Sequence, residues 1–249
     1  MQYQFVKEQL DYSDLASGRV FHSLPGHPAF PVRLASEIFQ RCMANRETIY
    51  KNSTRCVLYD PCCGAAYHLS VLAYLHREHI QEVIGSDVDE KAVALAKRNL
   101  ELVSIAGLDK RIIEISAMSE RYGKASHKDA LRSAQILRSN SLALARKYPV
   151  RTRAFRANST ESREIFNNIK AKSVDIVSTD VPYGQHSDWY SPEGIDPIEA
   201  MLDVLRNVLS RSSLVAITSD KRQKVSHEKY QRIEQFKIGK RRVVILKPI

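Results

Sequence analysis

Short apolar runs alternate with amphipathic stretches along most of the chain. The runs CVLYD (56–60), EVIGSD (82–87), VDIVSTD (174–180) and SLVAITSD (213–220) have the length and composition of buried strands. The stretch DEKAVALAKRNLELVS (89–104) carries Val93, Ala96, Leu100 and Val103 on one side, which predicts an amphipathic helix. Strands that alternate with helices predict an α/β fold with a doubly wound, mainly parallel sheet.

The remaining elements follow the same rhythm. LASEIFQRCMA predicts a helix over Pro31–Asn45, and AAYHLSVLAYLHREH, SREIFNNIK and PIEAMLDVLRNVLS predict three more. RTRAFRAN predicts a strand, and FKIGKRRVVILKP predicts a closing β-hairpin that turns near Gly239 and Lys240. A terminal hairpin makes the expected sheet mixed rather than purely parallel.

The chain has 249 residues, which fits a single domain over 1–249. Residues 1–30 form a polar, Pro- and Gly-punctuated N-terminal extension. Residues 107–150 interrupt the α/β rhythm and predict a helical insertion. Residues 110–156 contain twelve Lys and Arg but only three Asp and Glu, so this insertion is strongly basic.

The whole chain is basic as well, with 38 Lys and Arg against 28 Asp and Glu, a net charge of +10 and a pI near 9.5. Such a balance favours contact with phosphate backbones or anionic membranes, although solubility alone also explains it. The N-terminus has no apolar signal segment, and no apolar run reaches the ~20 residues of a membrane span. We therefore expect a cytoplasmic protein without a membrane partner, and a monomer is favoured.

The sequence contains four cysteines: Cys42, Cys56, Cys62 and Cys63. Their spacing gives no C-x-x-C pair and no accompanying histidine pair, so no metal site is expected. Cys62 and Cys63 lie in DPCCG, between Asp60 and Gly64. Small side chains there allow the backbone to approach a ligand closely, so we interpret the two cysteines as compact packing residues.

Four polar residues follow predicted strands, where open α/β sheets bind ligands: Asp60, Asp87, Asn158 and Asp180. Asp87 lies 23 residues after Gly64, the spacing of a glycine turn followed by a carboxylate for ribose hydroxyls. The turn lacks both G-x-G-x-x-G and G-x-x-x-x-G-K-[ST], which favours a ligand with ribose but no pyrophosphate. A helix N-cap is the alternative interpretation of Asp87.

The segment Asp180-Val181-Pro182-Tyr183-Gly184 resembles the (D/N)PP(Y/F) motif of amino-methyltransferases that use S-adenosylmethionine. In that chemistry a side-chain acceptor and a backbone carbonyl hold the nitrogen to be methylated, and an aromatic ring stacks on the base. Asp180 would be the first acceptor, the carbonyl of Val181 or Pro182 the second, and Tyr183 the stacking face. Val181 replaces the first proline of the motif. The alternative interpretation of this segment is a turn that ends the strand and has no catalytic role.

Longer segments extend the resemblance: PGHPAFPVRLASEIFQR, VLYDPCCGAAYHL, VIGSDVD, SERYGK, TDVPYG and FKIGKRR. Together they are similar to the avilamycin-resistance ribosomal RNA guanine methyltransferase family over most of residues 21–247. The resemblance implies a Rossmann-like class I methyltransferase fold, S-adenosylmethionine as cofactor, and a guanine of large-subunit (23S) rRNA as substrate. It also implies a role in resistance to orthosomycin antibiotics.

The resemblance carries roles to individual residues. Asp60 and Gly64 would line the methionine side of the cofactor, with Cys62 in the same turn. Asp87 would hold the ribose, and Asn158 stands where the family has an acid near the adenine amino group. The chain departs from the family at Ala65-Ala66, where a second glycine is expected, so the methyl group of Ala66 is expected near the cofactor.

Several alternatives remain open from sequence. The family favours methylation at guanine N1, whereas the motif alone also fits the exocyclic N2. A tRNA guanine or a DNA adenine is an alternative substrate, and a noncatalytic RNA-binding protein on the same scaffold is an alternative of another class. Arg33, in the shared PVRLA segment, is expected to contact RNA or cofactor, unless it is a helix-end charge. Trp189 would cover the target base or anchor its loop to the protein body.

Overall fold

A computed structural model of the chain describes residues 3–23, 29–182, 189 and 194–249. Within these ranges one sheet contains seven strands in the order β3-β2-β1-β4-β5-β7-β6. The strands are β1 (Cys56–Asp60), β2 (Ile80–Asp87), β3 (Arg151–Arg156), β4 (Val174–Asp180), β5 (Leu209–Asp220), β6 (Tyr230–Ile238) and β7 (Arg241–Pro248). β7 alone runs opposite to the other six strands and pairs antiparallel with β5 and β6, so the predicted mixed, mainly parallel sheet with a C-terminal hairpin is confirmed.

The helices of the described ranges are α1 (Val32–Tyr50), α2 (Tyr67–Leu75), α3 (Glu90–Glu101), α4 (Ile105–Tyr122), α5 (Ala125–Lys147), α6 (Ser162–Phe166) and α7 (Pro197–Val208). Two short 3₁₀ helices, Ser13–Leu15 and Arg77–His79, complete this set. The predicted end of the first helix at Asn45 was wrong, because α1 continues for five residues to Tyr50. The helix ends only where Lys51 adopts a left-handed φ of 54°.

Helices cover both faces of the sheet because the strand residues alternate between two apolar clusters. Leu58, Ile176 and Ile245 face the cluster formed with α1, α2 and α3. Tyr59 and Val177 face the opposite cluster, formed with α6 and α7. The first of these surfaces is called face A below and the second face B.

The order of the strands fixes where a ligand can bind. From β1 the chain moves outward through β2 to β3, then returns to β4 on the other side of β1. A crevice forms beyond the carboxyl ends of two strands where the winding direction reverses. Asp60 ends β1 and Asp180 ends β4, so these two carboxylates lie at the same edge of the sheet.

The segment 105–147 folds as two helices, α4 and α5, joined at Gly123 with a left-handed φ of 61°. These helices pack with the N-terminal segment on a third apolar cluster that includes Leu15, Leu108 and Leu137. In the described part of the chain, no helix is long and apolar enough to span a membrane.

Candidate active site

A cavity of about 140 Å³ opens at the carboxyl edge of the sheet, between the ends of β1 and β4. Asp180 contributes one wall, and the DPCCG turn contributes another through Asp60, Cys62, Cys63 and Gly64. The N-terminal segment closes the remaining side through Ser17, His22, Ser23, Ala29 and Phe30. Four of the residues singled out in the sequence, Asp60, Cys62, Gly64 and Asp180, therefore lie around one space.

The DPCCG turn is held by hydrogen bonds that its backbone N–H groups donate. Asp60 Oδ1 accepts a bond from the Cys62 N–H at 2.9 Å, which closes the turn on itself. The Cys63 N–H donates to the Ser86 carbonyl at 2.9 Å and ties the turn to β2. Gly64 has a left-handed φ of 51°, and a Cβ added there would meet no atom within 4 Å. This left-handed φ favours glycine, and open space lies above it.

Asp87 is bonded directly to this turn. Its Oδ2 accepts the Gly64 N–H at 2.8 Å and its Oδ1 accepts the Asp89 N–H at 3.0 Å. The N-cap of α3 is Asp89, whose side chain accepts the Lys91 N–H. The N-cap interpretation of Asp87 was therefore wrong, and Asp87 connects β2 to the glycine turn.

The adjacent cysteines are packing residues in this structure. All four cysteines are free thiols. Burial raises the pKa of both the Cys62 and Cys63 thiols. Cys63 packs so closely on β2 that a Cβ added to Gly85 would lie 2.8 Å from its sulfur. Ala66 does not line the cavity, because its methyl group is fully buried in the face A core, with the backbone at a φ of 52°; its expected position near the cofactor stays a prediction.

The carboxyl group of Asp60 is strongly perturbed by its burial. Its Oδ2 is buried and has no hydrogen-bond partner among the described residues, and the nearby His68 Nε2 lies 3.5 Å away. Burial raises the pKa of Asp60 to about 7, against the lowering effect of the nearby Thr179 hydroxyl, which forms no hydrogen bond of good geometry, and of the Cys62 N–H bond. Burial also lowers the pKa of His68, so the ring is neutral and its Nε2 can donate to the Ser178 carbonyl at 3.2 Å. A ligand with a cationic group would satisfy the unpartnered oxygen of Asp60.

The motif after β4 is held by β5 and the segment that follows it. The Val181 N–H donates to the Thr218 carbonyl at 3.0 Å. The Pro182 carbonyl accepts a hydrogen bond from Gln223 Nε2 at 2.9 Å. This bond fixes the Pro182 carbonyl and occupies one of its two lone pairs, so both carbonyls remain candidates for the second acceptor. Tyr183 lies outside the described residues.

Asn158 and Trp189 lie beside the cavity and do not line it. The Asn158 side-chain oxygen accepts bonds from the Thr160 N–H at 3.1 Å and from its hydroxyl at 3.0 Å. Trp189 Nε1 donates to Ser159 Oγ at 3.3 Å, and the Cys62 thiol approaches the same oxygen at 3.7 Å. Trp189 is thus anchored to the protein body, as one of its two interpretations required, and Asn158 uses its oxygen within its own turn.

Arg33 lies away from the cavity, and its side chain is occupied. Its Nε and Nη2 donate to the Val6 carbonyl at 3.0 and 2.8 Å, and Nη2 also donates to the Lys7 carbonyl at 2.7 Å. Its guanidinium covers the Tyr3 ring at 4.0 Å. The expectation that Arg33 contacts RNA or cofactor finds no support in these contacts, because the side chain holds the N-terminal segment on α1.

Comparison with known proteins decides the family. The family model described as rRNA methyltransferase AviRa matches residues 1–241. The chain belongs to this family. A curated relative from Streptomyces viridochromogenes, named 23S rRNA (guanine(2535)-N(1))-methyltransferase, is 38% identical over 245 residues, which cover 98% of this chain and 95% of the relative. The resemblance noted in the motifs is thereby confirmed.

Solved structures agree with the AviRa assignment. The rRNA methyltransferase AviRa of S. viridochromogenes at 1.5 Å matches with a TM-score of 0.87 and 37% identity, covering 99% of this chain and 96% of that chain. A 2.4 Å structure of the same protein gives 0.86 and 38%, covering 98% and 96%. TrmN from Thermus thermophilus, at 14% identity and a TM-score of 0.50, covers 88% of this chain and 49% of that chain, and shows a shared fold only. The Rossmann-like methyltransferase fold is confirmed.

The structure of this AviRa family member also shows site residues that the sequence analysis missed. Asn99 is fully buried on α3 and donates to the Ala65 carbonyl at 2.8 Å and the His22 carbonyl at 2.9 Å. Its Oδ1 accepts the His22 N–H at 2.7 Å, so one amide joins the glycine turn to the N-terminal wall. An asparagine next to Leu100 on the apolar side of a helix was the available signal. The sequence contains no comparable signal for the roles of His68 and Gln223.

Proposed function

We propose that this protein transfers a methyl group from S-adenosylmethionine to a guanine base of 23S rRNA, at N1. The observation that carries the proposal is the single cavity that contains both the DPCCG turn and Asp180. The name of the curated relative supports the choice of 23S rRNA and of N1 over N2. Because one chain contributes both halves of the cavity, a monomer suffices for the reaction.

The residues around Gly64 fit the cofactor. The unpartnered Asp60 oxygen would receive the methionine ammonium group, and Asp87 would bind the ribose hydroxyls beside Gly64. Open space above Gly64 lets the cofactor approach the backbone, with Cys62 in the same wall. The bound sulfonium supplies an electrophilic methyl group. Asn158 follows β3 and would lie near the adenine ring of the cofactor. Its amide group would there be an uncharged hydrogen-bond partner of the adenine.

Asp180 and its neighbours would handle the base. Asp180 accepts the N1 proton, which must leave before N1 can act as a nucleophile. The Val181 carbonyl accepts a hydrogen bond from the neighbouring N2 amino group, and Pro182, held by Gln223, keeps this carbonyl in place. Tyr183 would stack on the base, and Trp189 would anchor the loop that follows.

Other segments of the chain would close the cavity and contact the RNA. We interpret residues 1–249 as one methyltransferase domain, with the described part of the extension 1–30 closing the cavity and the basic helical insertion 107–150 facing RNA phosphates. RNA of this class is made and used in the cytoplasm, which is where we place the protein. Protection of the ribosome from orthosomycins would follow if the modified guanine lies at their binding site.

The decisive experiment is mass-spectrometric mapping of 23S rRNA after incubation with protein and S-adenosylmethionine. We expect one methylated guanine, with the methyl group at N1. Asp180→Asn should lower turnover at least a hundredfold while the calorimetric affinity for S-adenosylmethionine stays within threefold. Glu47→Gln, which neutralises an exposed acid on α1, is the control and should leave both unchanged.

Each alternative has its own outcome in this experiment. Near-normal turnover of Asp180→Asn would refute the role of Asp180. Methylation of tRNA or duplex DNA in place of 23S rRNA would replace the substrate. Absence of S-adenosylmethionine binding at millimolar concentration would favour the noncatalytic RNA-binding interpretation.

A further inference from the structure

Two arginines at the start of β7 have buried nitrogen atoms without partners. In the described part of the chain, Arg241 Nε and both Nε and Nη2 of Arg242 are buried and donate no hydrogen bond, although each residue as a whole is partly exposed. Neither guanidinium forms an ion pair with a described residue, although many other arginines do. Burying cationic nitrogens without partners is costly, so these two side chains are better explained by an anion that binds them.

The register of the sheet places Arg241 beside the cavity. Asp180 pairs with Thr218 on β5, and Thr218 pairs with Val243 on β7, so Arg241 lies two residues further towards the carboxyl edge. Strand spacing and rise put the Cα atoms of Asp180 and Arg241 roughly 12 Å apart. Arg241 shares face A with Val243, since side chains alternate along a strand. Asp180 is on that face as well.

A ring of the cavity wall touches Arg241 directly. The Arg241 guanidinium lies 5.5 Å from the centre of the Phe30 ring, and Phe30 packs against His68 at 5.5 Å. Both of these rings line the cavity. Arg241 therefore lies behind the cavity wall at the rim, within reach of a nucleotide whose base enters the cavity. Arg242 points to face B from the next position along β7.

The charge around this edge is positive. Four further cations are exposed on the segments that flank the two arginines: Lys221, Arg222, Lys237 and Lys240. The nearby acid Asp220 is already 3.9 Å from the Arg222 guanidinium. An anion approaching the start of β7 therefore meets a local field of one sign.

We propose that Arg241 and Arg242 bind the RNA phosphates that flank the target guanosine, with Arg241 at the phosphate nearest the cavity. This inference rests on the proposed function. A planar guanidinium with a partly exposed edge presents N–H groups that match a phosphodiester, whose two oxygens accept charge-assisted bonds. Such contacts position the nucleotide without reading its sequence, which leaves base recognition to the cavity.

The test uses a hairpin of 23S rRNA that contains the mapped target guanine, made with normal linkages or with one neutral methylphosphonate next to that guanosine. Arg241→Gln and Arg242→Gln are compared with Lys170→Gln and Arg211→Gln, which remove the same charge from exposed positions near the opposite, amino-terminal edge of the sheet. We expect each arginine variant to raise the KM for normal RNA about tenfold. Each should also reduce the slope of log affinity against log salt by about one, without changing S-adenosylmethionine affinity. The two control variants should change the KM less than threefold.

The methylphosphonate hairpin separates a phosphate contact from a change in folding. It should bind wild type about tenfold more weakly than normal RNA, and Arg241→Gln should not distinguish the two hairpins, because the contact is already gone. Equal discrimination by wild type and Arg241→Gln would overturn the inference while leaving the methyltransferase proposal intact. Failure of wild type to methylate any RNA would instead remove the proposed function, and this inference with it.

Discussion

Replacing Gly85 by alanine tests whether the packing of Cys63 holds the cofactor turn. Gly85 lies in β2 and its φ is outside the left-handed region, so the backbone itself accepts alanine. The new methyl group would lie 2.8 Å from Cys63 Sγ and 3.2 Å from its Cβ, with Leu69 Cδ1 at 3.4 Å. Cys63 is 6% exposed and its N–H is bonded to Ser86, so it has little freedom to move away.

The magnitude follows from two opposing effects. Overpacking a close-packed site costs about 1–3 kcal/mol. Replacing a glycine with alanine at an allowed φ regains about 0.4–1 kcal/mol by restricting the unfolded chain. We therefore expect Gly85→Ala to lower the free energy of unfolding by about 1–2 kcal/mol.

A double-mutant cycle measured by urea denaturation assigns the effect to Cys63. In a Cys63→Ala background the sulfur is gone, and the cost of Gly85→Ala should fall by at least half. In a Cys42→Ala background, where the removed thiol is buried far away on α1, the full cost should persist. Calorimetry should show weaker S-adenosylmethionine binding for Gly85→Ala, because the displaced Cys63 precedes Gly64. An equal cost in both backgrounds would refute this account of the turn.

Two further predictions concern buried carboxyl groups. The folded-state pKa of Asp60 is about 7 against an ordinary value of 3.8, so the folded protein keeps a proton that the unfolded chain loses. The free energy of unfolding without cofactor should thus fall as the pH rises from about 4 to about 7, and Asp60→Asn should flatten this dependence in urea titrations at several pH values. Glu37 is fully buried and accepts hydrogen bonds from the backbone N–H groups of residues 4, 5 and 6. Glu37→Gln should therefore lower the free energy of unfolding by about 3 kcal/mol and expose the N-terminal segment to limited proteolysis. The control Glu47→Gln changes an exposed residue and should have neither effect.

The sequence predicted the strands well because their signal is local. CVLYD and VDIVSTD form β1 and β4 with the expected boundaries, because a short apolar run between polar turns is buried most readily as a strand of the sheet. Their terminal carboxylates could be placed at one edge because parallel strands share a direction. Strand β5 begins at Leu209, four residues before SLVAITSD, in a segment that had been interpreted as the end of a helix.

The contacts that were missed depend on residues far apart in sequence. Arg33 was expected at a ligand, but its partners are carbonyls 26 and 27 residues earlier, on a segment with no regular pattern. Asn158 was expected to present its oxygen, but a hydroxyl two residues later takes it. Hydrogen bonds of this kind need coordinates, because periodicity reports only which side of an element is buried.

The distribution of charge within the cleft suggests how one protein handles two oppositely charged substrates. The protein is basic overall, yet the space between β1 and β4 is lined by the carboxyl groups of Asp60 and Asp180, with Asp87 bonded to the adjacent turn. A sulfonium cofactor is attracted to this acidic interior, whereas a phosphodiester backbone is repelled from it. Only the uncharged base of a nucleotide can enter without that penalty, so the phosphates must remain outside, at the cationic rim where Arg241 lies. Reversing either half of this arrangement, by adding a cation inside or an acid at the rim, should therefore impair the binding of one substrate and spare the other.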